Sequence, residues 1–170
     1  IEGTPQDDQN LDGGQGNDFI YGYAGNDDIN GNESDDVLDG GLGNDNIEGR
    51  YGNDTYIASP GHDTFKELNP SNTVTAEEIV FGPGITIDDL EIYRVNHGDN
   101  TYDLIIKWSD DSGDNSITVE RHFDTTRDYA IETLRFNDGS TYDLVNQDFV
   151  TKGSESDDTL SSKLDGITTS

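Results

Sequence analysis

Every ninth residue from 18 to 54 is an aspartate: Asp18, Asp27, Asp36, Asp45 and Asp54. Each closes a six-residue stretch rich in Gly and Asn, residues that tolerate positive φ, so each hexad reads as a tight turn with several carbonyls directed inward. Carboxylates and backbone carbonyls, with no His or Cys among them, form a hard-oxygen donor set. It suits Ca²⁺, which takes about six to eight ligands, better than Zn²⁺ or Cu²⁺. Mg²⁺ demands stricter geometry and usually retains water. Acid–base catalysis gains no support from the pattern, because neighbouring carboxylates are unavoidable among 37 acidic residues. His62, His97 and His122 are the only imidazoles. None has the i, i+4 partner of a zinc helix or an adjacent Ser or Cys nucleophile, so they read as structural or surface groups.

The elements that must position these aspartates follow from a second column. Units starting at Gly13, Gly22, Gly31, Gly40 and Gly49 carry a large apolar residue in eighth place: Ile20, Ile29, Leu38, Ile47 and Tyr56. The last three residues of each unit therefore read as a short strand whose middle side chain points into a thin core. Stacked units make a parallel β-helix in which alternate units lie above one another and their aspartates line up as a column of like charge. Such a column needs a cation. A flexible acidic linker would have no use for apolar residues in phase.

Composition points the same way. In 170 residues, 37 acidic side chains stand against 9 basic ones, a net charge of -28 that repels nucleic acid and anionic lipid surfaces. Only 29% of residues are apolar and 20 are Gly, close to the composition of disordered chains. There is no cysteine, hence no disulfide or thiolate site, and a bound oxygen-seeking cation is the remaining staple. No apolar run approaches the roughly 18 residues of a membrane span. Ile1-Glu2-Gly3 resembles no signal peptide and lacks an initiator Met, and the chain is expected to be a fragment from the interior or tail of a larger protein.

The nonapeptide resembles the glycine- and aspartate-rich repeat of the RTX (repeats-in-toxin) proteins, whose β-roll binds calcium between turns. That resemblance implies six-oxygen sites, each built from the second and fourth carbonyls and the Asp of one turn with the first and third carbonyls and the Asp two units on. One site would join Gly14, Gly16 and Asp18 to Gly31, Glu33 and Asp36. The next would join Tyr23, Gly25 and Asp27 to Gly40, Leu42 and Asp45, and a third Asn32, Ser34 and Asp36 to Gly49, Tyr51 and Asp54. The phase continues through Ala58 to Lys66, so a weaker site would join Gly41, Gly43 and Asp45 to Ala58, Pro60 and Asp63. The expected complement is about three to five Ca²⁺ ions. Ser34 departs from the fourth-position Gly, and Tyr23, Asn32 and Arg50 from the second, which bears on local affinity more than on fold. Gly3 to Asp12 looks like a repeat with one inserted residue. Asn32-Glu33-Ser34 and Asn53-Asp54-Thr55 match the glycosylation sequon by chance, inside the turns.

The expected fold is all-β: a calcium-binding β-roll over residues 1–67, a β-rich capping domain of antiparallel style over 68–150, and a degenerate repeat start or tail over 151–170. Expected strands in the second part are Glu78 to Phe81, Leu90 to Val95, Tyr102 to Trp108, Ser116 to Arg121, Ala130 to Phe136 and Thr141 to Leu144. Thr86 with Asp89 could cap a helical turn over Asp88 to Leu90. The succession of Ile79-Val80-Phe81, Asp103-Leu104-Ile105-Ile106, Ser116-Ile117-Thr118-Val119 and Ile131-Glu132-Thr133-Leu134 resembles the β-rich domain that often follows the roll in haemolysin-type calcium-binding proteins. There it covers the last coils, as solenoid ends require. Trp108, Tyr93 and Tyr102 could line a ligand groove, or pack as core. No Asp-Pro dipeptide suggests a self-cleaving module.

The leading functional expectation is a non-enzymatic, calcium-driven folding module of a large bacterial adhesin or toxin exported by type I secretion, disordered without Ca²⁺ and folding outside the cell or at its surface. Its partners would be calcium ions, the rest of the parent chain and the secretion machinery, with no nucleic acid and no direct membrane span. Two other classes stay open: a calcium-dependent peptide- or glycan-binding module, and the accessory tail of a secreted hydrolase or epimerase.

Overall fold

The computed structural model describes residues 1–68, 76–97, 101–123, 130–149 and 151–152. In it the nine-residue period becomes an 18-residue coil made of two units. Leu11, Ile29, Ile47 and Phe65 stack in parallel register in one sheet, and Ile20, Leu38 and Tyr56 in the facing one. The first sheet takes β1 (Leu11–Gln15), β3 (Asp28–Glu33), β5 (Asn46–Tyr51) and β7 (His62–Lys66). The second takes β2 (Phe19–Tyr21), β4 (Val37–Asp39) and β6 (Thr55–Ile57). Ile20, Leu38, Ile47, Tyr56 and Phe65 are wholly buried between the sheets. Each side chain so enclosed contributes on the order of 2–3 kcal/mol. Tyr56 and Phe65 stack with ring centroids 4.9 Å apart.

Three-residue strands follow six-residue turns only in the second sheet. In the first, β3 and β5 run on through the first three residues of the next unit. Side chains at the second positions account for this: Asn32 Nδ2 donates to Asp12 Oδ1 at 2.7 Å, and an Arg50 guanidinium N–H to Asn32 Oδ1 at 3.1 Å. That bridge between coils holds Asn32 opposite Arg50 in the ladder. Among the described residues, the corresponding segments on the other side of the roll form no continuous ladder: an isolated bridge joins Ala24 to Leu42, and Gly43 N–H donates to Pro60 O.

Beyond the roll the strands are β8 (Glu78–Val80), β9 (Glu91–Asn96), β10 (Tyr102–Asp110), β11 (Gly113–Val119), β12 (Thr133–Arg135), β13 (Thr141–Asp143) and β14 (Thr151–Lys152). A 3₁₀ turn spans Ile87–Asp89, one residue earlier than expected, where Asp89 Oδ2 accepts from the Thr86 N–H and hydroxyl at 2.8 and 2.7 Å. β9–β10–β11 and β12–β13 pair antiparallel. The joints to the roll are parallel, β11 on β7 and β8 on β6. One eight-stranded sheet, β1-β3-β5-β7-β11-β10-β9-β14, and one six-stranded sheet, β13-β12-β8-β6-β4-β2, therefore run through both parts. The apolar interior follows, with Phe81 edge-on to Trp108 at 5.3 Å and stacked on Phe136 at 5.5 Å. The fold is all-β: a parallel β-roll capped by a β-rich segment with antiparallel hairpins. Among the described residues no helix is long and apolar enough to cross a membrane. The degenerate repeat expected from Gly153 onward lies outside the described residues.

Candidate metal centres

The sixth-position aspartates form two columns, one on each side of the roll. On one side the Asp18 N–H donates to Asp36 Oδ1 at 2.8 Å and the Asp36 N–H to Asp54 Oδ1 at 2.9 Å. On the other, the N–H groups of Asp8, Asp27 and Asp45 donate to Oδ1 of Asp27, Asp45 and Asp63 at 2.7, 2.9 and 3.0 Å. One carboxylate oxygen is thus tied to the coil before it. The other is not: Oδ2 of Asp27, Asp36, Asp45 and Asp54 is buried with no hydrogen-bond partner.

Burial pushes the carboxyls of Asp27 and Asp36 above the ordinary carboxylate range, and those of Asp45, Asp54 and Asp63 up to about 6, 7 and 7. Like charge along each column adds to the effect, while the backbone donors oppose it. A buried carboxylate oxygen without a donor is costly unless a proton or a cation meets it.

The four expected ligand sets face one another across stacked turns. Gly14 lies opposite Asn32, and Gln15 opposite Glu33. The carbonyl oxygens of Gly31 and Gly49 pass within 2.6 and 3.0 Å of where a Cβ on Gly13 or Gly31 would sit. In the second set Leu42 N–H donates to Tyr23 O and Gly25 N–H to Leu42 O, both at 2.9 Å, while Gly40 O passes close to Gly22. In the third set Tyr51 lies opposite Glu33 of the first set, Asn32 lies opposite Arg50, and Ser34 O lies against Gly52. In the fourth, Gly43 N–H donates to Pro60 O at 3.2 Å, Gly43 O lies against Gly61, and Gly41 O and Ala58 O belong to the same pair of turns. Tyr23, Leu42 and Pro60 carbonyls therefore carry an inter-turn hydrogen bond, and each keeps a second lone pair. Among the described residues no three carboxylate or imidazole groups converge on one point. An ion at these turns must be completed by carbonyls, and the orphaned carboxylate oxygens beside a carbonyl-rich backbone fit a hard cation.

Backbone conformation supports that supply of carbonyls. The second position has positive φ in all five units, at Gly14, Tyr23, Asn32, Gly41 and Arg50, and so has the fourth, at Gly16, Gly25, Ser34, Gly43 and Gly52. Tyr23, Asn32, Ser34 and Arg50 hold the left-handed region at φ 76, 78, 84 and 81° despite their side chains. The turn geometry thus outweighs their preference.

A fifth-position ladder escaped the sequence reading. Asp35 Oδ1 accepts from Asn53 N–H, Asn26 Oδ1 from Asn44 N–H and Asn44 Oδ1 from His62 N–H, at 2.9, 2.9 and 2.8 Å. Its bonds run opposite in sense to those of the aspartate columns. The signal was the run of Asn17, Asn26, Asp35, Asn44 and Asn53 in fifth place. Also unforeseen is Glu67, 1% exposed, which accepts from the Tyr56 hydroxyl at 2.8 Å and is pushed up to about 9 by burial.

Away from the turns, Trp108 is 5% exposed and borders an open cleft of about 780 Å³ with His62, Lys107, Asp114 and Asn115. Tyr93 is packed under Lys107, and Tyr102 under Arg94. His122 is a buried core group, with the Ile131 N–H donating to its Nδ1 at 3.3 Å. His97 Nε2 lies on the surface 2.7 Å from an Asp103 carboxylate oxygen.

Known proteins share both parts. The model of the RTX calcium-binding nonapeptide repeat (4 copies) matches residues 6–38 and 30–65, and that of the haemolysin-type calcium binding protein related domain matches residues 103–145. No curated protein matches the chain significantly. The solution structure of the AlgE6R3 subunit from the Azotobacter vinelandii mannuronan C5-epimerase is similar in fold, with a TM-score of 0.50 and 22% identity over 94% of this chain and 97% of that one. The chain thus carries RTX calcium-binding nonapeptide repeats over residues 6–65, followed by a haemolysin-type calcium binding protein related domain over residues 103–145.

Proposed function

We propose that the module is a calcium-dependent folding and structural element of a larger secreted bacterial protein of the adhesin or toxin kind, exported by type I secretion. The observation that carries this reading is the set of buried, unpartnered Oδ2 atoms on Asp27, Asp36, Asp45 and Asp54. With a charge of -28 and so few apolar residues, aspartate repulsion holds the chain open in metal-free solution at neutral pH. A bound Ca²⁺ supplies the charge that two stacked aspartates lack. The aspartates and the carbonyls of the second, fourth, first and third turn positions hold it, at Gly14–Asp18 with Gly31–Asp36, Tyr23–Asp27 with Gly40–Asp45, Asn32–Asp36 with Gly49–Asp54, and Gly41–Asp45 with Ala58–Asp63. Binding free energy then becomes folding free energy, and each coil templates the next. Scarce calcium inside a cell and plentiful calcium outside would make folding a consequence of export.

Circular dichroism in chelator, in millimolar Mg²⁺ and in millimolar Ca²⁺ tests this. The expected result is a cooperative gain of β signal in calcium alone, and equal structure in chelator and calcium would refute it. A second reading, calcium-dependent binding of a peptide or glycan, is favoured by the cleft beside Trp108 at the joint of roll and cap.

A further inference from the structure

The outer face of the second sheet changes character along the roll. In β2 the two-residue strand period sends Ile20 into the core and turns Phe19 and Tyr21 outward, where they are 61% and 42% exposed. Tyr23, 50% exposed, extends the run, with its ring centroid 6.4 Å from that of Tyr21. On the later strands the place of Phe19 is taken by Val37, Thr55, Glu78 and Thr133, and that of Tyr21 by Asp39 on β4. Glu78 is there paired with Arg135. Of the exposed large aromatic side chains among the described residues, all but Tyr51 stand together on and beside β2, the strand of this sheet farthest from the cap. Only 29% of the residues are apolar, yet three rings are left in water at one spot. An exposed apolar cluster with a polar rim marks an interaction surface.

The rim says what would cover it. Residues 1–49 contain no Lys or Arg. The Glu2 carboxylate lies against the Tyr23 hydroxyl and holds it above the ordinary phenol range, and Asp39 stands opposite Tyr21. Aromatic faces attract cations, and a guanidinium can stack flat on a ring while its edge reaches a carboxylate. Two other occupants fit less well. A second copy would bring a charge of -28 against another of the same sign. The rings of Tyr21 and Tyr23 are tilted by 35°, so they form no single flat platform for a chain of sugar rings.

We propose that this face of β2 docks an arginine-rich segment of another protein, its guanidinium groups stacking on Phe19, Tyr21 and Tyr23 and pairing with the acidic rim. The surface is separate from the cleft beside Trp108, which opens in the other sheet where β7 meets β11.

Fluorescence anisotropy of a labelled Gly-Arg repeat peptide, titrated with the full chain in millimolar Ca²⁺, tests it on wild type, Phe19→Ser, Tyr21→Ser and, as a control at an exposed apolar residue of the cap, Val145→Ser. Circular dichroism checks that each variant folds. Phe19→Ser and Tyr21→Ser should each weaken binding several-fold and Val145→Ser leave it unchanged. Equal affinity of wild type and both aromatic variants would overturn the surface and leave attraction by net charge alone. If the substitutions prevent folding, the wild type decides: a several-fold preference for the Gly-Arg peptide over a Gly-Lys peptide that survives added salt supports the stacking, and equal affinities overturn it. Wild type that dimerises in calcium by sedimentation, with Phe19→Ser monomeric, would make the face an interface between copies and overturn the proposal as well.

Discussion

Acid should fold the metal-free chain. Asp45, Asp54 and Asp63 are 2%, 0% and 1% exposed, and burial raises them from an ordinary 3.8 to about 6, 7 and 7. A carboxyl raised in the folded state binds its proton more tightly there than in the unfolded chain. It favours the fold fully below pH 3.8 and loses that contribution as pH climbs through its folded value. At about 1.4 kcal/mol per pH unit, ionising Asp45 costs the fold on the order of 3 kcal/mol, and Asp54 and Asp63 on the order of 4 kcal/mol each. Half of that sum would match the lower end of the roughly 5–15 kcal/mol by which domains are stable. His122 opposes the effect as pH falls from 6.5 through about 4, but by one proton against three, so the net gain should keep growing down to about pH 4. The assay is far-UV circular dichroism of protein decalcified on a resin, since chelators lose calcium affinity in acid. A β signal should appear between about pH 8 and pH 5, whereas the calcium-saturated protein should hold its signal throughout. Identical metal-free spectra at the two pH values would refute the argument that buried aspartates hold the chain open.

Asp36→Ala should raise the calcium midpoint more than Asp18→Ala, because Asp36 is 1% exposed and stands between Asp18 and Asp54 in the column, whereas Asp18 has only Asp36 beside it; calcium titrations followed by circular dichroism compare the two. Gly43→Ala should prevent folding even in calcium, since its Cβ would lie 1.6 Å from the Gly25 carbonyl oxygen at φ 141°, while Gly14→Ala, with open space around it, should cost only about 1 kcal/mol in thermal melts. His122 is held down to about 4 by burial, so the calcium-loaded cap should lose up to about 3 kcal/mol as pH falls from 6.5 through 4, and His122→Gln should flatten that dependence in melts read at Trp108.

The roll was legible because its two jobs fall on two fixed columns: Ile20, Leu38 and Ile47 are buried where the eighth position requires. The aspartate columns were legible as charge but not as hydrogen bonds, since nothing in residue type says that Oδ1 would meet the backbone of the preceding coil. The fifth-position ladder was visible as a run of Asn and was passed over because Asn also suits turns. The continuation of the second sheet through β8 and β12 was unreadable for a different reason: a column is found by its period, and the period ends at Lys66 while the register persists. In the second half, strand positions followed from alternation, but β11 joining β7 in parallel depends on a pairing far apart in sequence, which local pattern does not encode.

Three residues separate β5 from β6, while eleven separate β7 from β8, yet Tyr56 still meets Ile79 in register. The perimeter of a coil is therefore not what aligns it; the ladders are. Closing the longer connection costs only about 1 kcal/mol more in chain entropy, and doubling it again only about 0.6 kcal/mol. An insertion between β7 and β8 should therefore leave the coils in register. The same insertion between Tyr51 and Thr55 would tear Asn53 and Asp54 out of both ladders at once.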